Sequence, residues 1–172
     1  RVIPQYQRAA EASGARIVHT CGFDSVPFDM GNWYLQQQMF ARHGAYAQRV
    51  KARVGRNRGS ASGGTIASIL NMLEEATHDA SVRRIMANPY ALYPAGIRAG
   101  QDGPDQRGAK FDEDFGQWTS PFIMAAINTR VVRRSNALLG FPWGEDFRYD
   151  EATLNRSRYE ATRNSVAGAV GM

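Results

Sequence analysis

The chain has 172 residues, 43% of them hydrophobic and 22% charged, the composition of an ordinary globular domain long enough to bury a core without disulfide or metal support. A mean hydropathy of -0.45 and the lack of any apolar run of about 18 residues exclude a membrane-spanning helix, and a single cysteine, Cys21, excludes an internal disulfide and points to a reducing, cytoplasmic setting. The net charge of +5 is uneven: residues 1–60 carry 9 basic and 3 acidic groups, 61–120 carry 5 and 8, and 121–172 carry 7 and 5. Its densest part, Arg49, Lys51, Arg53, Arg56 and Arg58, has no interleaved aromatics on which bases could stack, so it fits a small anionic ligand better than nucleic acid.

In chain order, residues 3–13 read as a short helix stopped by Gly14, a residue suited to the left-handed position after a helix. Residues 15–21 form a β-rich run with the look of a buried strand ending at Gly22. A helix follows to about Arg42, with Asp24 or Ser25 as cap, Pro27 in its first turn and Val26, Met30, Trp33, Gln37 and Phe40 along one face. Residues 45–55 alternate, with Val50, Ala52 and Val54 on one side and Arg49, Lys51 and Arg53 on a wet, basic side.

A Gly/Ser-rich loop, 55–64, opens a helix over 65–79, and a further helical turn ends at Asn88-Pro89. Residues 88–119 lose periodicity and read as a long surface segment. Ser120-Pro121 predicts a helix start and Gly140 its stop, with Ile123, Ile127, Val131, Arg134 and Leu138 along one side and Arg130, Arg133 and Arg134 facing water. Residues 147–154 read as a closing strand, and the tail from Val166 as frayed. The order fits an α+β fold, with an α/β unit joined to a mixed-sheet unit packed with helices.

Two constellations could carry chemistry. Gly22, Phe23, Asp24 and Ser25 lie between a predicted strand end and a helix start, the place where open α/β sheets bind ligands through free helix amides; a tight turn with a capped helix is the plain alternative. Arg56 and Arg58 with Ser62, Gly63, Gly64 and Thr65 could hold a phosphate or carboxylate, since glycines allow close approach and arginines bind oxyanions in bidentate fashion; a flexible linker with a helix cap is the alternative there. The loop is neither a Walker loop nor a dinucleotide fingerprint. His19, His43 and His78 are scattered, so no metal site is expected. Cys21 reads as a small buried hydrophobe rather than a nucleophile, and Asp112-Glu113-Asp114 as a solvated cluster.

Residues His19-Thr-Cys-Gly-Phe-Asp-Ser-Val-Pro-Phe-Asp-Met-Gly31 and Ser62-Gly-Gly-Thr65, followed by Pro121 to Ser135 and Phe147 to Glu151, together resemble the saccharopine dehydrogenase-like oxidoreductases, a group that includes the trans-acting enoyl reductases of lipid synthesis. The resemblance implies a parent that uses NAD or NADP on a small-molecule substrate. It also implies that residues 1–44 are the end of a dinucleotide-binding domain lacking its Gly-rich fingerprint, and that 45–172 are an α+β substrate or dimerisation domain, truncated at its C-terminus. Gly22 to Ser25 would then line the cofactor, while a chain of this extent would hold no cofactor and be catalytically silent by itself. The alternative is a non-catalytic dimerisation or scaffold domain, a homodimer in either case by analogy with two-domain dehydrogenases.

Overall fold

A computed structural model describes residues 2–55, 63–98 and 100–170. In chain order it contains helices α1 (Val2–Ser13) and α2 (Val26–His43), strand β1 (Arg49–Val54), helices α3 (Gly63–His78) and α4 (Ala80–Ala87), strands β2 (Lys110–Asp112) and β3 (Gln117–Pro121), helix α5 (Ala125–Leu138), strand β4 (Arg148–Asn155) and helix α6 (Arg158–Val170). The four strands form one mixed sheet in the order β1-β4-β3-β2. β1 runs parallel to β4, with Val50 opposite Tyr149, whereas β4 and β2 both run antiparallel to β3. This is an α+β fold.

The apolar core is small and sits where β1 and β4 meet α5: Val50, Val132, Trp143, Phe147 and Tyr149 pack together. The alternation of 49–54 is realised, since Val50 is buried against this core. Helix α2 ends as its composition requires. Gly44 adopts φ +68° and its N–H donates to the Phe40 carbonyl at 2.8 Å, a conformation glycine reaches without the Cβ clash other residues suffer.

Five expectations fail, each for a tertiary reason. Residues 15–21 form no strand: among the described residues no neighbouring strand pairs with them, Ile17 and Val18 are 58% and 73% exposed, and Thr20 takes φ +56°, a left-handed conformation incompatible with a pleated strand. Helix α2 forms, but its apolar stripe faces outward, with Val26, Met30, Trp33 and Phe40 exposed while Ser25, Asn32 and Gln36 are buried. The presumed surface segment 88–119 contributes β2 and most of β3. Ser120 and Pro121 belong to β3, opposite Thr153 and Ala152, so α5 starts four residues later than Ser120-Pro121 implied; Pro121 closes the strand, where its missing donor costs little. The tail is helical to Val170 rather than frayed, and Ala161 is fully buried.

Candidate functional site

Beside the open face of the sheet lies a cleft of about 910 Å3, walled by β1, β4, the β2–β3 hairpin and residues 101–109. Its chemistry begins with the alternation that buries Val50, because the same pleat brings Lys51 and Arg53 into the cleft. These side chains are not wet. Asp112 accepts hydrogen bonds from Lys51 Nζ at 2.8 Å and Arg53 Nε at 2.7 Å, Asp114 pairs with Lys51, and Asp150 with Arg53 at 2.6 Å. Burial works to raise the Asp112 carboxyl, but the hydrogen bonds and charges of Lys51 and Arg53 outweigh it and hold the group down at about 2. The acidic cluster expected in water is thus a partner of the basic strand, with Asp112 itself buried. Those two cations, both part of the expected anion patch, are already satisfied by carboxylates.

The deeper part of the site comes from α5. Arg130 and Arg133, expected on a wet face, are 6% and 2% exposed. Arg133 Nε and Nη2 grip Asp102 Oδ2 at 2.9 and 2.7 Å, and Nη2 also donates to the Tyr149 carbonyl at 3.0 Å; Arg130 pairs with Asp105. The helix buries these long cations because residues 101–109 fold over it with one aspartate for each arginine. That segment is tightly seated: a Cβ on Gly100 would come within 2.8 Å of both the Glu145 carbonyl oxygen and Tyr90 Oη, so only glycine fits the close approach. Tyr90 Oη in turn accepts from the Asp102 N–H at 2.6 Å.

One acid in this region has no cation paired with it among the described residues. Glu151, 2% exposed, accepts from Tyr149 Oη at 3.0 Å and from Asn128 Nδ2 at 3.1 Å. Burial pushes its carboxyl up to about 7, against the opposing effect of those two donors, while burial and the Glu151 charge raise the Tyr149 phenol so that it stays protonated. Asn128 is completed by Ser25, whose hydroxyl donates to Asn128 Oδ1 at 3.0 Å. A buried chain, Ser25–Asn128–Glu151–Tyr149, therefore ties the turn before α2 to the wall of the cleft.

The expected sites are only partly brought into this arrangement. Of the 22–25 turn, Ser25 is buried and joined to Asn128, whereas Gly22, Phe23 and Asp24 are exposed, Phe23 at 89%. Ser25 is the N-cap of α2 but forms no side-chain cap bond, because its hydroxyl is spent on Asn128. Cys21 is exposed rather than buried. Arg56, Arg58 and Ser62 lie outside the described residues; Gly63, Gly64 and Thr65 form the first turn of α3, with both glycines exposed, and α3 packs against α4. Sequence reasoning missed Glu151, Asn128, Asp102, Asp105, Arg130 and Arg133. For Asn128, Arg130 and Arg133 the signal was the run of polar residues on α5, which reads equally well as a solvated face; Glu151, Asp102 and Asp105 carried none.

An α+β chain with a charged cleft over a mixed sheet is the class that fold and site define. Comparison with known proteins gives the nearer relationship. A Mycobacterium tuberculosis protein named as a candidate trans-acting enoyl reductase is 40% identical over 96% of this chain, and the trans-acting enoyl reductases of Mycobacterium leprae and Mycobacterium ulcerans are 33% and 32% identical over 99% of it. The chain spans about two fifths of the length of these relatives, 41% of the first and 44% of the other two. No family model matches the chain and no solved structure matches it. No helix among the described residues is long and apolar enough to cross a membrane.

Proposed function

We propose that this chain is the substrate-side portion of an NAD(P)-dependent oxidoreductase that reduces an enoyl group. The observation that carries the reading is its similarity, over 96–99% of its length, to proteins named trans-acting enoyl reductase. In this reading residues 1–44 are the end of a dinucleotide-binding domain and 45–172 hold the substrate. The exposed turn Gly22-Phe23-Asp24 fits the edge of a nicotinamide ribose, since an exposed glycine turn lets a polar ligand approach the backbone; the first amides of α2 are already bonded within the turn, Val26 N–H to the Gly22 carbonyl and Phe28 N–H to the Ser25 carbonyl, and Pro27 has none. The described residues hold no Gly-rich strand-to-helix turn for a pyrophosphate, so they fit only one end of the cofactor. When bound, a reduced nicotinamide supplies hydride. What this chain contributes is a cleft with fixed charges that bind and orient a small-molecule substrate while excluding water. The segment Arg56, Arg58 and Ser62 to Thr65 is assigned to an anionic group of the substrate or cofactor.

Isothermal titration of NADH and NADPH into the protein at its full natural length, with an enoyl thioester reduction assay, tests this function. Binding of one nucleotide and its oxidation by the thioester are expected; binding of neither nucleotide overturns the proposal. The second reading, a homodimerisation or scaffold domain, is favoured by the outward apolar row of α2. Light scattering tests it, a monomer at high micromolar concentration counting against it.

A further inference from the structure

The face of the sheet that carries Lys51 and Arg53 carries two more arginines. Arg49 stands directly opposite Arg148 where β1 and β4 begin, and the pleat turns both side chains toward the cleft, which both line. Neighbouring strands lie about 4.8 Å apart, and like charges set side by side across a strand pair repel. One carboxylate on this face meets the pair: Asp150 lies 4.0 Å from Arg49 Nη2, and it is already held by Arg53 at 2.6 Å. Arg148 is exposed and has no ion pair among the described residues.

The other acids of the cleft are committed elsewhere. Asp112 and Asp114 are taken by Lys51 and Arg53, Asp102 by Arg133 and Asp105 by Arg130, and Glu151 points to the helix-covered face with Val50 and Tyr149. Glu113, exposed on the hairpin, is the remaining acid of the lining, and Arg107 and Lys110 on the opposite wall also pair with no carboxylate among the described residues. Uncommitted positive charge is therefore in excess at the mouth of the cleft.

Beside Arg49 the surface changes character. A second hollow of about 370 Å3 is lined by Leu35 and Met39 of α2, by Ala47 and by Phe115. It shares Arg49, Lys51 and Asp114 with the cleft, so the two adjoin. Its Phe115 wall is held in place by Arg53, whose guanidinium carbon lies 5.6 Å from the ring centroid, and by Lys51, which pairs with the neighbouring Asp114.

We propose that Arg49 and Arg148 form a binding site for the phosphate or carboxylate of a small amphiphilic ligand, whose apolar arm lies in the hollow lined by Leu35, Met39 and Phe115. Guanidinium groups present planar, forked donors that match the oxygens of such an anion, and an anion between the two arginines replaces their repulsion by attraction. The apolar arm needs no polar partner and gains by leaving water. This site is separate from the 56–65 segment and stands without the oxidoreductase reading.

Isothermal titration and thermal unfolding of this chain, at constant ionic strength with sodium chloride exchanged for the probe, test the proposal. Inorganic phosphate, butyl phosphate and valerate are the probes. Saturable binding of butyl phosphate or valerate that raises the unfolding midpoint is expected, the tighter of the two naming the head group, with an affinity about tenfold or more above that of phosphate from burial of the arm. Arg49→Gln and Arg148→Gln should each weaken that binding about tenfold or more, the worth of one charge-assisted hydrogen bond. In chloride alone Arg148→Gln should be at least as stable as the wild type, since it removes a repulsion. Leu35→Ser should abolish the advantage of the alkyl probe while leaving phosphate binding unchanged, and Arg156→Gln, at an exposed arginine outside the cleft, should change nothing. No stabilisation beyond chloride by any probe, an equal loss in Arg156→Gln, an alkyl probe no tighter than phosphate, or a marked destabilisation of Arg148→Gln in chloride each overturns the proposal.

Discussion

Removing Asp112 should unfold the open face of the sheet from within, because one carboxylate holds two cations there. Lys51 and Arg53 have side chains only 15% and 5% exposed, and Asp112 itself is 4% exposed. Deleting one member of a buried ionic group leaves the others desolvated and uncompensated, which costs about 3–5 kcal/mol. Asp114 still faces Lys51 and Asp150 still faces Arg53, so Asp112→Ala belongs at the lower end of that range. The pH dependence gives a second, independent figure. The carboxyl is held at about 2 against an ordinary 3.8, a difference worth roughly 2 kcal/mol. Since the folded value is the lower one, this stability is present above about pH 4 and is lost as pH falls through about 2. Urea denaturation of the wild type, Asp112→Ala and Asp112→Asn at neutral pH, repeated down the acid limb, measures both numbers. The Asn variant keeps the shape and should remove the acid dependence. A loss below about 1 kcal/mol in Asp112→Ala, the value of an exposed pair, would refute the claim that these charges are buried and mutually dependent.

Glu151 should give the opposite pH profile: with its folded value raised to about 7 from 4.5, its contribution is full below about pH 4.5 and is lost as pH rises through 7, a span worth about 3 kcal/mol. Chemical denaturation across that window should show the slope in the wild type and its loss in Glu151→Gln. Gln36, fully buried, donates to the Ala47 carbonyl and accepts from the Ala47 N–H, both at 2.8 Å; Gln36→Ala should cost about 2–4 kcal/mol for two backbone groups left unpaired and speed hydrogen exchange at the Ala47 amide, whereas unchanged exchange there would show that α2 is not clamped to the start of β1. Cys21 is exposed, so a thiol reagent should label it stoichiometrically in the native protein without denaturant, and protection from labelling would contradict the placement of residues 15–22.

The sequence by itself determined the elements whose signals are local. Alternation placed β1 at 49–54, the glycines at 14 and 44 ended α1 and α2, Asn88-Pro89 ended α4, and the weak alternation near 147–154 marked β4, each because backbone conformation answers to a residue's own side chain and its immediate neighbours. The α+β class followed from their order. What lay out of reach were properties that need a partner distant in the chain. Residues 15–21 have strand composition but no strand beside them, and composition cannot supply the hydrogen bonds of a missing neighbour. The 3.6-residue period showed that α2 has an apolar face without saying which face turns inward, and the inward one is polar because Asn128 and Ser135 on α5 meet Ser25 and Asp29 across it. Arg130 and Arg133 read as solvated until Asp102 and Asp105, some 25–31 residues earlier, fold over them. The candidate site was hidden for the same reason: the Glu151 carboxyl is raised by its burial on β4 against Asn128 of α5, and burial is a property of the assembled tertiary structure.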